Sequence, residues 1–465
     1  MNKEESNKYI FENHILSFES NINEFTSKIY EEFNFIAEEA DLTTMIKKLI
    51  GGHIVNQTEN QAALHPKYRM FQAKEEGPIP NNLHEAPKIA KNFYDKWKKQ
   101  SEICKKDQKI NIFTLGIGGS YEGPKLLLEC FNNPFGFSDK EKIKFNFDFI
   151  TGSDPKEFHT KTKDLDPKNT FFIVSSKSFN TDETIESLIQ AQNWSLCNSH
   201  FIAITSNPEK AKRYGIQQVI TFDKEIGGRY SIWSPITQFH LYDDNSAKNF
   251  DNQNEMRKNF FKGGLQADSD IISNQNYQEF VKRLSFSDIW LNNTKGVNTR
   301  AILSYDWNLR SLPDYFQQLE MESLGKQTNS KCEFKKTGQI IFGGFGPTAH
   351  HSYFQLLHQG TQNISADMIA SKEDVKSLAY AQAITQSKLF SDGVEDLKKA
   401  ESINSNIPVN LFLLNKLDPY SLGYLITTWE YRVYITAIIL NINPFDQFGV
   451  NAGKIYTKKY LADKH

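Results

Sequence analysis

Short runs of apolar residues, each ending in a turn of Gly, Ser or Thr, recur through the first half of the chain. Residues 111–115 run into Gly116-Ile117-Gly118-Gly119-Ser120, and 145–150 into Thr151-Gly152-Ser153. Residues 170–174 lead to Ser175-Ser176-Lys177-Ser178, and 201–205 to Ser206-Asn207-Pro208. Runs without polar alternation predict strands covered on both faces. With helical stretches between them they predict a parallel sheet in a doubly wound α/β layer. The same grammar returns later: 339–342 predicts a strand opening into Gly343-Gly344-Phe345-Gly346, and 422–442 predicts a long helix. Two stretches without strong apolar runs, 67–82 and 243–263, predict exposed connections. The expected organisation is a helical N-terminal segment over 1–85, a first α/β domain over 86–245, and a second over 264–465 that includes C-terminal helices.

Length agrees with two domains, because 465 residues exceed what one ordinary core accommodates. A formal net charge of -2 argues against nucleic acid as a partner, since a backbone-phosphate binder needs a basic excess. Cys104, Cys130, Cys197 and Cys332 have no short paired spacing, which points to reduced thiols and not to a zinc site or disulfide framework. The first residues carry no apolar signal segment, and the apolar run over 433–440 falls well short of the ~20 residues of a membrane span. A cytoplasmic protein that needs no cofactor or metal is the expectation.

Open parallel sheets bind ligands beyond the carboxyl ends of their strands. Glycines at such a turn let backbone N–H groups approach an anion, and the helix that follows adds a partial positive charge. Ser120, with Ser176, Lys177, Ser178 and Thr181, would add hydroxyls and one ammonium, enough to hold a phosphate dianion. The first turn is not a nucleotide P-loop, because no Lys precedes its Ser. It is not a dinucleotide fingerprint either, because Tyr121 stands where the third Gly belongs.

Longer runs are more specific. LGIGGSYEGP (115–124), SKSFNTDET (176–184), GGRYSIWSP (227–235), YFQQLEMESLGK (315–326), SYFQLLHQG (352–360) and NPFDQFGVNAGK (443–454) follow in that order, after NQTENQAALH at 56–65. These resemble the signatures of the phosphoglucose isomerase family, in the family's own order. The resemblance implies two sugar-isomerase α/β domains and a homodimer with the active site between domains, near the subunit interface. It implies that Gly119, Ser120, Ser176, Lys177, Ser178 and Thr181 bind the phosphate of a hexose 6-phosphate. Arg229 would lie by the sugar's C1 and C2 oxygens, with Glu183 as an acid behind it. Gln447 would touch phosphate or sugar, and Lys454 would approach the ring oxygen.

Moving a proton between C1 and C2 needs a base, a stabiliser of the enediolate and help in opening the ring. Taking the glutamate of the family's turn GEPGTNGQH for its base leaves that place empty here. The matching turn runs from Gly343 to His351, with Gly344 in the glutamate's position and no acid between Glu333 and Asp367. An imidazole expected on a helix over 376–389 is missing too, since no histidine lies between His358 and His465. Three readings stay open: a replacement base, with His350, Glu320 and Glu322 as candidates; a divergent sugar-phosphate binder with weak or no isomerase activity; or a different phosphosugar substrate. His351, beginning a helix beside the sugar site, is a candidate substrate contact. Arg229 and Lys454 favour an isomerase of glucose 6-phosphate and fructose 6-phosphate, because a mere phosphate sensor needs neither.

Overall fold

The computed structural model describes residues 8–74, 85–103, 109–131, 145–195, 197–237, 250–395 and 397–463. The N-terminal segment is not purely helical. It opens with two strands, β1 (Tyr9–Glu12) and β2 (Leu16–Ser20), before the helices Ser27–Glu39 and Leu42–Gly51, a small hairpin of β3 (Ile54–Asn56) and β4 (Gln61–Ala62), and the helix His65–Lys74. That last helix buries Tyr68, Arg69, Phe71 and Gln72, so residues 67–74 form a helix packed into the core on one face and not an exposed connection; residues 75–82 of that predicted connection lie outside the described residues.

The first sheet consists of β5 (Ile110–Leu115), β6 (Phe145–Ile150), β7 (Thr170–Ser175), β8 (Phe201–Thr205) and β9 (Val219–Thr221). They pair in parallel in the order β6-β5-β7-β8-β9. Every residue of β5, β7 and β8 is buried, as continuous apolar runs require. The chain leaves β5 toward β6 on one side and returns as β7 on the other. The crevice between the carboxyl ends of β5 and β7 is therefore the sheet's topological switch point.

The second sheet takes β10 (Thr299–Ser304), β11 (Ile340–Phe345), β12 (Ile364–Ser371) and β13 (Val409–Leu414) in parallel, then adds β2 and β1 antiparallel beyond β13. Strand β11 continues through Gly343 and Gly344, where the sequence predicts a turn. The stretch predicted as a second exposed connection is helical from 250 on: Phe250–Ser273 is one helix, and 243–249 lie outside the described residues.

The predicted long helix spans Pro419–Ile439 and is buried on nearly all sides. It carries charge into the core. Arg69 donates to Asp268 at 2.6 and 2.9 Å and also to Glu430, which accepts from Trp233 Nε1 at 2.6 Å. One guanidinium thus faces two buried carboxylates, and burial pushes the Glu430 carboxyl up to about 7. This cluster anchors Trp233, the last residue of the 3-10 segment Gly228–Trp233 that carries Arg229. Cys104 lies outside the described residues; Cys130, Cys197 and Cys332 are free thiols. No helix among the described residues is long and apolar enough to cross a membrane.

Candidate active site

The two hydroxyl-bearing turns flank the switch point of the first sheet. The second turn is fixed from below: Thr205 Oγ1, Ser206 Oγ and Ser206 N all donate to the Lys177 carbonyl, at 2.9, 2.7 and 2.9 Å. Buried Phe179 adopts φ 51°, a left-handed conformation held only because the surroundings enforce it. Ser176 Oγ and Thr181 Oγ1 lie 3.2 Å apart, and Ser178 is exposed. The Lys177 ammonium donates to the Lys224 carbonyl at 3.0 Å; burial lowers its pKa, and nearby Arg229 adds to the effect.

The first turn sits directly against the Arg229 segment. A Cβ on Gly119 would lie 1.8 Å from the Gly228 carbonyl oxygen, so only glycine permits the approach. Ser231 Oγ closes the seam by donating to the Gly119 carbonyl at 2.9 Å. Beside Gly118 stands Gln318, whose Nε2 is 3.1 Å from where a Cβ on Gly118 would be.

Arg229 is buried and reaches two other elements. Its Nε donates to Ser323 Oγ (2.8 Å), and Nη1 donates to Gln447 Oε1 (2.9 Å) and Glu322 Oε2 (3.3 Å). Nη2 donates to the carbonyls of Pro444 (3.0 Å) and Asp446 (2.6 Å). Gln318 Nε2 also reaches Glu322 Oε2, at 3.3 Å. The Gly118 turn, the guanidinium and a partly exposed carboxylate thus meet at one place, with Glu322 keeping 28% of its side chain open.

Helix Leu312–Leu324 decides between the two glutamates of the EMES run. Glu320 and Glu322 are about 200° apart on the helix, so they cannot share a face. Glu320 points into the core, paired with Arg300 and accepting from Trp429 Nε1 at 2.6 Å; burial raises its pKa. It cannot meet a substrate. Glu322 can, so the lack of a carboxylate at Gly344 does not leave the site without one.

The remaining candidates are spread out. Glu183, in the first turn of Asp182–Ser195, is not among the partners of Arg229; the carboxylate there is Glu322. His350 shares a hydrogen bond with the Tyr305 hydroxyl (Nε2, 2.9 Å) and packs edge-on against Phe354. Burial lowers its pKa, and none of its contacts is with Arg229 or the hydroxyl turns. His351 is exposed. Lys454 is exposed on the helix Asn451–Ala462, two turns beyond Gln447. Sequence reasoning overlooked Gln318 and Ser323, although both lie on the Glu322 run, at its i−4 and i+1 positions.

The chain matches the family model of phosphoglucose isomerase over residues 20–465. The chain belongs to the phosphoglucose isomerase family. A glucose-6-phosphate isomerase of Saccharophagus degradans is 34% identical over 464 residues, covering 90% of this chain and 81% of that protein. Another, from Shewanella pealeana, is 31% identical, with 90% and 82% covered. The crystal structure of a glucose-6-phosphate isomerase from Chlamydia trachomatis has the same fold, with TM-score 0.77 and 23% identity, covering 98% of this chain and 90% of that one. Nothing in these similarities favours a divergent, non-catalytic member of the phosphoglucose isomerase family.

Proposed function

We propose that this chain interconverts glucose 6-phosphate and fructose 6-phosphate through an enediolate. The observation that carries the reading is the Glu322 carboxylate, 3.3 Å from the Arg229 guanidinium and beside the phosphate turns. Ser120, Ser176, Lys177, Ser178 and Thr181, with the backbone at Gly119, hold the phosphate. That fixes the sugar so that C1 and C2 lie over Glu322 and Arg229. Glu322 removes the proton from one carbon and returns it to the other. Arg229 steadies the negative charge on the enediolate oxygens with a guanidinium that is itself buried, where its charge is worth more than in water. Lys454, carried by the exposed C-terminal helix, assists at the ring oxygen.

Two chains per molecule fit this reading. His351 is exposed, and so is every residue of the helix Asn451–Ala462, including Ile455, Tyr456, Tyr460 and Leu461. In a homodimer, His351 supplies the ring-opening imidazole to the partner's sugar, a role that the helix after residue 376 cannot fill. A cytoplasmic location accords with a phosphorylated sugar as substrate.

The test is a coupled assay in which glucose 6-phosphate formed from fructose 6-phosphate is oxidised by a dehydrogenase. The natural chain turns over. Glu322→Gln loses about 10²–10⁴-fold in kcat, the contribution of one positioned base, while inorganic phosphate binds as before. Absence of turnover in the natural chain, with 5-phosphoarabinonate still bound, would leave a sugar-phosphate binder in its place.

A further inference from the structure

A guanidinium has five N–H donors, and in Arg229 each has an acceptor within the protein. Ser323 takes Nε, the carbonyls of Asp446, Pro444 and Glu322 take Nη2, and the side chains of Gln447 and Glu322 take Nη1. A cation that stabilises charge on a sugar oxygen must aim a donor at that oxygen. One of these acceptors therefore has to yield.

All but one are held in place, the Glu322 carbonyl by its helix. Ser323 is buried, and its hydroxyl also meets the Tyr230 hydroxyl at 3.2 Å. The other two carbonyls belong to the buried 444–446 backbone. There Thr58 donates to the Asp446 carboxylate at 2.7 Å, and the Lys326 ammonium donates to the Asp446 carbonyl at 2.5 Å. Glu322 is held by Gln318 and is needed where it stands. Gln447 is different: it is half-buried at the point where the chain passes from the pinned 444–446 stretch to residues that are all exposed.

We propose that Gln447 is an exchangeable positioning residue, whose carboxamide oxygen keeps Nη1 of Arg229 aimed at the reacting carbons and is displaced there by the sugar's own oxygen. The proposal rests on the reading in which Arg229 stabilises the enediolate. A neutral acceptor suits this part, because it orients the donor yet competes less with an incoming anion than a carboxylate would.

The experiment is calorimetric titration of the full chain with two probes. One is 5-phosphoarabinonate, whose carboxylate imitates the enediolate oxygens. The other is inorganic phosphate, which needs only the hydroxyl turns. Gln447→Ala removes the competitor, so 5-phosphoarabinonate is expected to bind about three- to tenfold tighter, the net scale of one ordinary hydrogen bond after exchange with water. Phosphate is expected to change less than about twofold, since no such bond is involved. Gln447→Glu supplies a stronger competitor and is expected to weaken 5-phosphoarabinonate about tenfold or more. Unchanged or weaker binding of 5-phosphoarabinonate by Gln447→Ala, or undiminished binding by Gln447→Glu, overturns the exchange. Arg229→Lys separates the two levels. If it binds 5-phosphoarabinonate at full strength, Arg229 does not meet the sugar oxygens and the functional reading falls with the proposal; if it loses that binding while Gln447→Ala fails as above, only the exchange falls.

Discussion

At the scale of single residues, the EMES run shows how much depends on which way a side chain faces. Glu320 and Glu322 differ by two positions and are chemically identical. One is sealed against Arg300 and Trp429, while the other stands at Arg229 with part of its surface open. Gly344 makes the complementary point. It has φ +149°, a conformation that side chains rarely adopt, and a Cβ there would approach the Tyr353 hydroxyl at 3.9 Å. Gly344→Glu should therefore not restore a missing group. It is expected to leave kcat no higher in the coupled assay and to cost on the order of 1–3 kcal/mol in urea unfolding, the scale of one strained backbone position. A large gain in kcat would return the base to the turn at 343–351.

At the scale of elements, the site is a junction of three segments, each fixed by its own device. The second hydroxyl turn hangs from β8 through the Lys177 carbonyl, the first is pressed onto Gly228, and the Arg229 segment is anchored at Trp233. The Gly119–Gly228 contact joins the proposed phosphate turn to the placement of Arg229. Gly119→Ala puts a methyl group into a backbone carbonyl that has no side chain to move aside. It is expected to weaken inorganic phosphate binding about tenfold or more and to lower kcat as well, because misplacing a catalytic group by about 1 Å costs on the order of 10²-fold. A variant with raised KM and unchanged kcat would show that the two segments are not coupled through this contact. The turns themselves were legible in the sequence, because apolar runs ending in Gly, Ser and Thr mark strand ends. The contact between them was not, because it joins residues more than 100 positions apart.

At the scale of the whole molecule, buried charge ties the layers together. Arg69, Asp268, Glu430, Trp233 and Tyr431 link four segments, and two carboxylates there share one guanidinium. Glu430 therefore holds its proton more tightly in the folded state, with a pKa of about 7 against a usual value near 4.5. A raised carboxylate contributes stability that is complete below the unfolded pKa and is lost as pH rises through the folded one. Urea midpoints of the natural chain relative to Glu430→Gln are expected to decline between about pH 4.5 and 7, by up to about 1.4 kcal/mol per pH unit. His65, stacked on Tyr230 and kept neutral by burial, acts in the opposite sense below its usual pKa. His65 Nε2 lies 3.8 Å from the Glu430 carboxylate, so the difference reports the titration of Glu430 together with its effect on His65. A flat difference would mean that Glu430 is ionised in the fold.

The sequence by itself determined the parallel α/β layers, the hydroxyl turns at the strand ends and membership of the family, since these rest on local runs and fixed spacings. Chain pairing at long range was beyond it: β1 and β2 are short, and only the pairing of Leu16–Ser20 with residues 410–414, about 390 positions away, makes them part of the second sheet. The helices over 65–74 and 250–273 were hidden for a related reason. Their buried faces carry Arg69, Gln72, Asp268 and Asp270, polar residues satisfied by partners elsewhere in the chain, so no apolar period announces them. The carboxylate beside Arg229 was concealed in the same way. A sequence places two glutamates on one helix, but only the packing of that helix between Arg300 and Arg229 decides which one stands at Arg229 with part of its surface open.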